Sequence, residues 1–148
     1  MQPSFHPTFV HRRRIQYYET DAMGVVHHSN HIRIFEEARV EWLRARDLTN
    51  IHVPYGKLVF AVIEAKLKYL KPLGFDEEIE VITQSRLVGV RLFFQYAIWS
   101  AKQRQFAALG ETELVPLTQD FKPSKLPTEA VEAYKLEPWD SQWPPKWP

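Results

Sequence analysis

Between Asn30 and Asp47, in "NHIRIFEEARVEWLRARD", apolar residues recur at intervals of three and four. Ile34, Phe35, Ala38, Trp42 and Ala45 fall on one side, while Arg33, Glu37, Glu41 and Arg44 lie around the other. That period predicts one long amphipathic helix, and Ser29 or Asn30 is placed to cap its start by accepting from an unpaired N–H of the first turn. The other runs are strand-like. Residues 9–18, "FVHRRRIQYY", carry β-branched and aromatic ends around three arginines. After the Pro/Gly break "VPYGK" comes "LVFAVIEAKLKYL", which stops at "KPLGFDE". "EEIEVITQSRLV" and "VRLFFQYAIWS" follow, divided at Gly89 as a tight hairpin requires, and "QFAALGETELVPL" comes last. One strand, one helix and four strands with hairpin-sized links predict an α+β fold with a mainly antiparallel sheet covered by a single helix.

Beyond Leu117 the pattern changes. A short helix is predicted at 128–135, and then Trp139, Trp143 and Trp147 stand among prolines. Pro144 and Pro145 end any helix there. The expectation is a Trp/Pro-rich tail over 118–148 whose tryptophans fold back on the body or onto a neighbouring subunit, with a proline-rich ligand for another protein as the alternative. The 148 residues suit one domain, 1–148, with its core at about 9–117.

Charge and composition narrow the functional classes. Nineteen Lys and Arg oppose 18 Asp and Glu, so no sequence-wide field favours nucleic acid or an anionic membrane. The absence of cysteine excludes disulfides, thiolate nucleophiles and sulfur-held zinc. No apolar run is long enough to cross a bilayer, so a soluble cytoplasmic protein is expected. Aromatics make up 14% of the chain, which suits a packed strand-rich core or a surface buried in an oligomer.

Several chemistries have no candidate. There is no G-x-S-x-G elbow, no G-x-x-x-x-G-K-[ST] or G-x-G-x-x-G loop, and no H-E-x-x-H. "HHSNH" does place His27 and His31 four apart and His28 and His31 three apart, a spacing that would let them join Asp21 around a metal; polar loop histidines are the commoner explanation, and no metal is expected.

What remains is Asp21, in a glycine-containing loop just before the long helix. A carboxylate there can attack an activated carbonyl or draw a proton from water, and the free N–H groups of the helix start can hold the developing oxyanion. Tyr17, Tyr18, Thr20 and His28 are within local reach of it. The bland alternative is a turn aspartate with Gly24 as its backbone partner.

The stretch "YYETDAMGVVHHSNHIRIFEEARVEWLR" resembles the signature of the 4-hydroxybenzoyl-CoA thioesterase-like branch of the hotdog-fold acyl-CoA thioesterases, and the likeness continues through "VIEAKLKYLKPLGFDEEIEV" and "RLFFQYAIW". The resemblance implies a hotdog fold, an antiparallel sheet of about five strands wrapped around one long central helix. It also implies a homo-oligomer, a dimer or a homotetramer built as a dimer of dimers, with active sites at the dimer interface. It puts the catalytic carboxylate on Asp21, as general base or nucleophile, and the loop histidine on His28. The tyrosine before the Asp falls on Tyr18 or Tyr17, and His31 stands where tyrosine is usual. Gly24, Val25 and the helix start at Asn30 would set main chain beside the thioester carbonyl.

The implied reaction is hydrolysis of an acyl-CoA to a carboxylic acid and coenzyme A, which is part of the substrate, so no separate cofactor is implied; an acyl carrier protein is the other donor. Coenzyme A carries phosphates, for which Lys57, Arg86 and Arg91 are the candidate partners. The "HRRR" run at 11–14 is read as protection of a strand edge, and Glu64 and Lys66 as structural. Phe60, Phe93 and Tyr96 belong to the core or to an acyl tunnel. A non-catalytic acyl-CoA-binding module and a hotdog dehydratase are the alternatives.

Overall fold

The computed structural model describes residues 9–147. Five strands, β1 (Phe9–Arg14), β2 (Val59–Tyr69), β3 (Glu78–Val88), β4 (Arg91–Ser100) and β5 (Gln105–Leu117), form one sheet in the order β1-β3-β4-β5-β2. Every pairing is antiparallel. The long helix α1 spans His28–Ala45 and the short helix α2 spans Thr128–Lys135. Single turns of 3-10 helix occur at Tyr17–Glu19 and Thr49–Ile51.

The hairpin expected at Gly89 is present: Val88 pairs with Arg91 around Gly89 and Val90, and Gly89 has φ +64°. A two-residue hairpin needs positive φ in its turn, which glycine adopts without steric cost. β1 ends at Arg14 and does not continue to residue 18: Ile15 N still donates to Glu77 O in register, but Ile15 O accepts from Asp76 N and the chain then turns through the 3-10 segment.

α1 lies on one face of the sheet. Phe35 stacks on Tyr96 with centroids 4.7 Å apart, and Trp42 meets Phe94 edge-on at 5.4 Å. The buried stripe is His31, Ile34, Phe35, Ala38 and Trp42. Ala45, expected in that stripe, is exposed, and His31 extends the stripe at its other end. The cap also differs from expectation: His27 is the N-cap, its Nδ1 accepting from Ser29 N at 3.2 Å.

Strand order creates the platform for the site. β2 and β3 are adjacent in sequence but separated in the sheet by β5 and β4, so the connection 70–77 must cross three strand spacings, about 14 Å, at one end of the sheet. It is pinned there by Leu70 N and Lys71 N to Ala107 O and by Asp76 N to Ile15 O. Glu77 closes it. Its carboxylate accepts from Gly74 N at 2.8 Å, from Gln103 Nε2 at 2.9 Å and from the Ser100 hydroxyl.

The tail folds back on the body. α2 buries Ala130 and Tyr134, and the Tyr134 and Ser85 hydroxyls are hydrogen bonded at 2.9 Å. Arg86 lies over the Trp139 ring at 4.3 Å, Trp143 Nε1 donates to Tyr96 O, and Trp147 Nε1 donates to Glu80. Among the described residues no helix is long and apolar enough to cross a membrane.

Candidate active site at the start of the long helix

Asp21 opens a tight turn. Gly24 N donates to Asp21 O and Asp21 N to Val25 O, both at 2.9 Å, while Thr20 and Val26 bridge as a minimal hairpin. Gly24 takes φ +80° at the position where such a loop requires the left-handed region. Asp21 Oδ1 accepts from Met23 N at 2.8 Å, which orients the carboxylate and leaves Oδ2 without a protein partner among the described residues. The side chain is neither core nor fully solvated, since Asp21 is half-buried.

The turn is held on both sides. Toward the sheet, Val26 N donates to Leu73 O at 2.8 Å and Val25 bridges Gly74, so the loop sits on the crossing connection. Toward the helix, His27 N and Asn30 Nδ2 both donate to Glu19 O, at 3.0 and 2.8 Å. Glu19 is buried and paired with Arg13 in two-pronged fashion, and its Oε1 also accepts from Gln16 N at 2.7 Å. Arg13 and His11 both reach Glu37 on α1, at 3.3 and 2.7 Å. Part of the "HRRR" run is therefore an internal clamp. Residues 11 and 13 share the α1 side of β1 by strand alternation, while Arg12 and Arg14 are exposed on an edge strand, where cations discourage edge pairing. The signal available in the sequence was a glutamate, Glu19, five residues after the arginine-rich strand ends at Arg14.

At the helix start two amides stand free. The N–H groups of Val25 and His28 donate to no protein acceptor among the described residues, whereas Ser29 N and Asn30 N are taken by His27. His28, His31, Val26, Tyr69 and Leu73 line one cleft of about 300 Å³, together with Lys71. Tyr69 Oη donates to His28 O at 2.9 Å, and its ring meets His31 edge-on at 4.8 Å. Burial lowers the pKa of His31, against hydrogen bonds to the His28 and His27 carbonyls that favour its charged form. The His27 and His28 rings lie 4.1 Å apart, yet no group of His, Cys, Asp or Glu among the described residues is arranged to hold a metal ion.

The named residues divide into two sets. Asp21, Gly24, Val25, His28 and Asn30 share the loop and helix start, although Asn30 spends its amide on Glu19 O and Asp21 does not line the His28 cleft. Tyr17 and Tyr18 are exposed, at 76% and 79%, and Tyr17 packs edge-on against Phe75. Lys57, Arg86 and Arg91 lie elsewhere. Tyr69 and Lys57 flank opposite ends of β2, on the order of 35 Å apart along an extended chain. Arg86 covers Trp139, and Arg91 pairs with Glu113 at 2.7 Å near the same far end. Within one protomer, Lys71 is the cation beside the His28 cleft. Of the three aromatics weighed for a tunnel, Tyr96 is core, Phe93 lies beside Arg86, and Phe60 lines a separate cavity under α1.

Residues 15–134 match the model of the Thioesterase-like superfamily. A relative from Aquifex aeolicus named "Putative esterase" is 36% identical over 133 residues, covering 86% of this chain and 98% of its own. The acyl-CoA thioester hydrolase YbgC of Escherichia coli is 29% identical over 126 residues, 82% of this chain and 92% of its own. The solved structure of a DHNA-CoA thioesterase from Staphylococcus aureus superposes with a TM-score of 0.79 at 27% identity, over 85% of this chain and 87% of that one.

Proposed function

The chain belongs to the thioesterase-like superfamily, and on that premise we propose that it hydrolyses acyl-CoA thioesters to a free carboxylic acid and coenzyme A, with Asp21 as the acting carboxylate. The observation that carries this reading is the pairing of one carboxylate oxygen left open on Asp21 with two free amides, Val25 N–H and His28 N–H, on the same clamped loop. Asp21 either draws a proton from water as it attacks the thioester carbon or attacks that carbon itself, forming a mixed anhydride that water then cleaves to the acid and free Asp21; in both cases the carbonyl oxygen gains negative charge. The free amides and the positive end of α1 stabilise that charge, and the thiolate of coenzyme A leaves. His28 is the side chain of this loop best placed to meet the substrate in the cleft it lines.

A second copy completes the site in this reading. β2 is an edge strand whose residues 62–66, 68 and 69 are exposed, and Tyr17, Tyr18, Met23, Tyr69, Leu70 and Phe75 leave an unusual amount of apolar surface around the loop. Antiparallel pairing of two β2 edges would cover that strand and bring the partner's far-end cations, equivalent to Lys57 and Arg91, toward this loop, where coenzyme A phosphates need them.

The test is thiol release from a panel of aryl, short and longer aliphatic acyl-CoAs by the wild type and Asp21→Asn. The variant keeps the oxygen that accepts from Met23 N, so it should fold normally while losing at least about a hundredfold in kcat. Equal activity in the variant rejects Asp21. No activity of the wild type on any member leaves the binding-module reading in its place.

A further inference from the structure

The face of the sheet away from α1 is covered by the chain's own tail. Tyr96 faces α1, so alternation along β3 and β4 puts Ile82, Gln84, Ala97 and Trp99 on the opposite face. Ile82, Gln84 and Ala97 are nevertheless buried, at 0%, 4% and 0% exposed. α2 is not their cover, because its Tyr134 bonds Ser85 on the α1 side.

Residues 139–147 supply the cover, running along β3 in reverse. Trp139 takes the Arg86 guanidinium on its ring at 4.3 Å. Asp140 gives its N–H to Gln84 Oε1 and receives Gln84 Nε2 on its carbonyl, both at 2.9 Å. Trp143 Nε1 donates to Tyr96 O at 3.3 Å, and Trp147 Nε1 donates to Glu80 Oε2 at 3.0 Å. Glu137 moors the start of this strap, its carboxylate accepting two hydrogen bonds from Arg46 at the end of α1.

Two observations bear on what the strap keeps out. The family match ends at residue 134, so the strap is an addition to the shared domain, and without it Ile82 and Ala97 would stand open to water. The rest of that face bears both signs of charge: Lys66 and Lys68 lie beside Glu64 on β2, and Glu111 and Glu113 pair alongside them on β5. An apolar strip next to mixed charge is self-complementary across a two-fold axis, which makes a second copy of this chain the fitting partner. Pairing along β2 sets two such faces side by side in one sheet, and two pairs meeting face to face leave none over.

We propose that the strap caps a self-association face. Seated, it stops assembly at the pair formed along β2; displaced, it lets two pairs dock through these outer faces. The pairing rests on the reading given above, whereas the capping depends on no catalytic activity. Tethering decides the competition, because a segment on a short link acts at an effective concentration on the order of millimolar, which dilute free copies of the chain do not match.

Sedimentation equilibrium of the full-length chain tests it, with hydrogen exchange monitoring the strap. Wild type should keep the mass of a pair, with Asp140 N–H slow to exchange. Trp139→Ser, Trp143→Ser and Trp147→Ser combined should free Asp140 N–H and double the mass. A peptide of residues 137–147 in excess, or Ala97→Arg on the docking face, should return that variant to the wild-type mass. Should the triple variant not fold or not release the strap, Asp140→Pro removes the amide that holds Gln84, and exchange of the Trp143 indole N–H reports the release. A freed strap with unchanged mass overturns the proposal. So does a wild type of doubled mass with its strap seated, a wild-type Asp140 N–H that exchanges freely, or a heavier variant that neither the peptide nor Ala97→Arg reduces. A monomeric wild type that becomes a dimer on release would refute the pairing along β2 and support the cap.

Discussion

Arg13 and Glu19 grip each other at both prongs, Nη1 to Oε2 at 3.0 Å and Nη2 to Oε1 at 2.5 Å, with side chains only 11% and 7% exposed. This pair joins the edge strand to the segment that carries Asp21, and the Glu19 carbonyl receives the two donors that hold the helix start.

Glu19→Gln removes the charge but keeps the shape. It leaves Arg13 with Glu37 alone at 3.3 Å, so the cost should approach the lower end of that for breaking a buried pair, about 3 kcal/mol. Urea denaturation reads it. Where the variant is still folded, kcat on the best acyl-CoA should fall.

Tyr69→Phe deletes the hydroxyl that donates to His28 O and preserves the ring against His31. A half-exposed hydrogen bond contributes about 1 kcal/mol or less to stability. If it positions the first turn of α1 for catalysis, the same energy appears as roughly a fivefold loss of kcat with KM little changed. Steady-state kinetics separate this from a purely structural role, which would leave kcat unmoved.

Gly110→Ala places a methyl where the Phe35 ring already is, its Cβ 2.3 Å from Phe35 Cε2. Phe35 is clamped in turn by its stack on Tyr96, so the ring has nowhere to retreat. Overpacking of this kind costs about 1–3 kcal/mol, a drop in Tm of roughly 2–4 °C for each kcal/mol. Differential scanning calorimetry would show it.

Acid should weaken the fold in two stages. His31 has a folded-state pKa lowered by burial, so as pH falls below about 6.5 the unfolded chain takes up a proton first and stability declines. For Glu77, burial alone would raise the pKa. Hydrogen bonds from Ser100, Gly74 and Gln103 and the charge of Lys102 outweigh it, and the net shift is downward. The stability that carboxylate contributes is present above about 4.5 and is lost as pH falls through its folded-state pKa. Urea midpoints measured from pH 8 to about pH 3 should show both declines. His31→Gln should remove the upper one, and an unchanged profile in that variant would refute the assignment.

Local period made the helix and the last four strands readable. A 3.6-residue repeat and short β-branched runs between turns are properties of neighbouring residues, and the observed β5 and α2 match their expected bounds, 105–117 and 128–135. The motif around Asp21 was equally legible because its turn is made by adjacent residues: Gly24 at positive φ and Met23 N on the carboxylate. Partners distant in sequence were not. That Arg13 would turn inward to Glu19 and Glu37 while Arg12 and Arg14 faced solvent depended on which side of β1 met α1. That His31 would be buried depended on Tyr69 arriving from the end of β2. The separation of Lys57, Arg86 and Arg91 from the loop follows from strand order β1-β3-β4-β5-β2. Strand order is set by burial and pairing summed over the whole chain, and no short window of residues contains that sum.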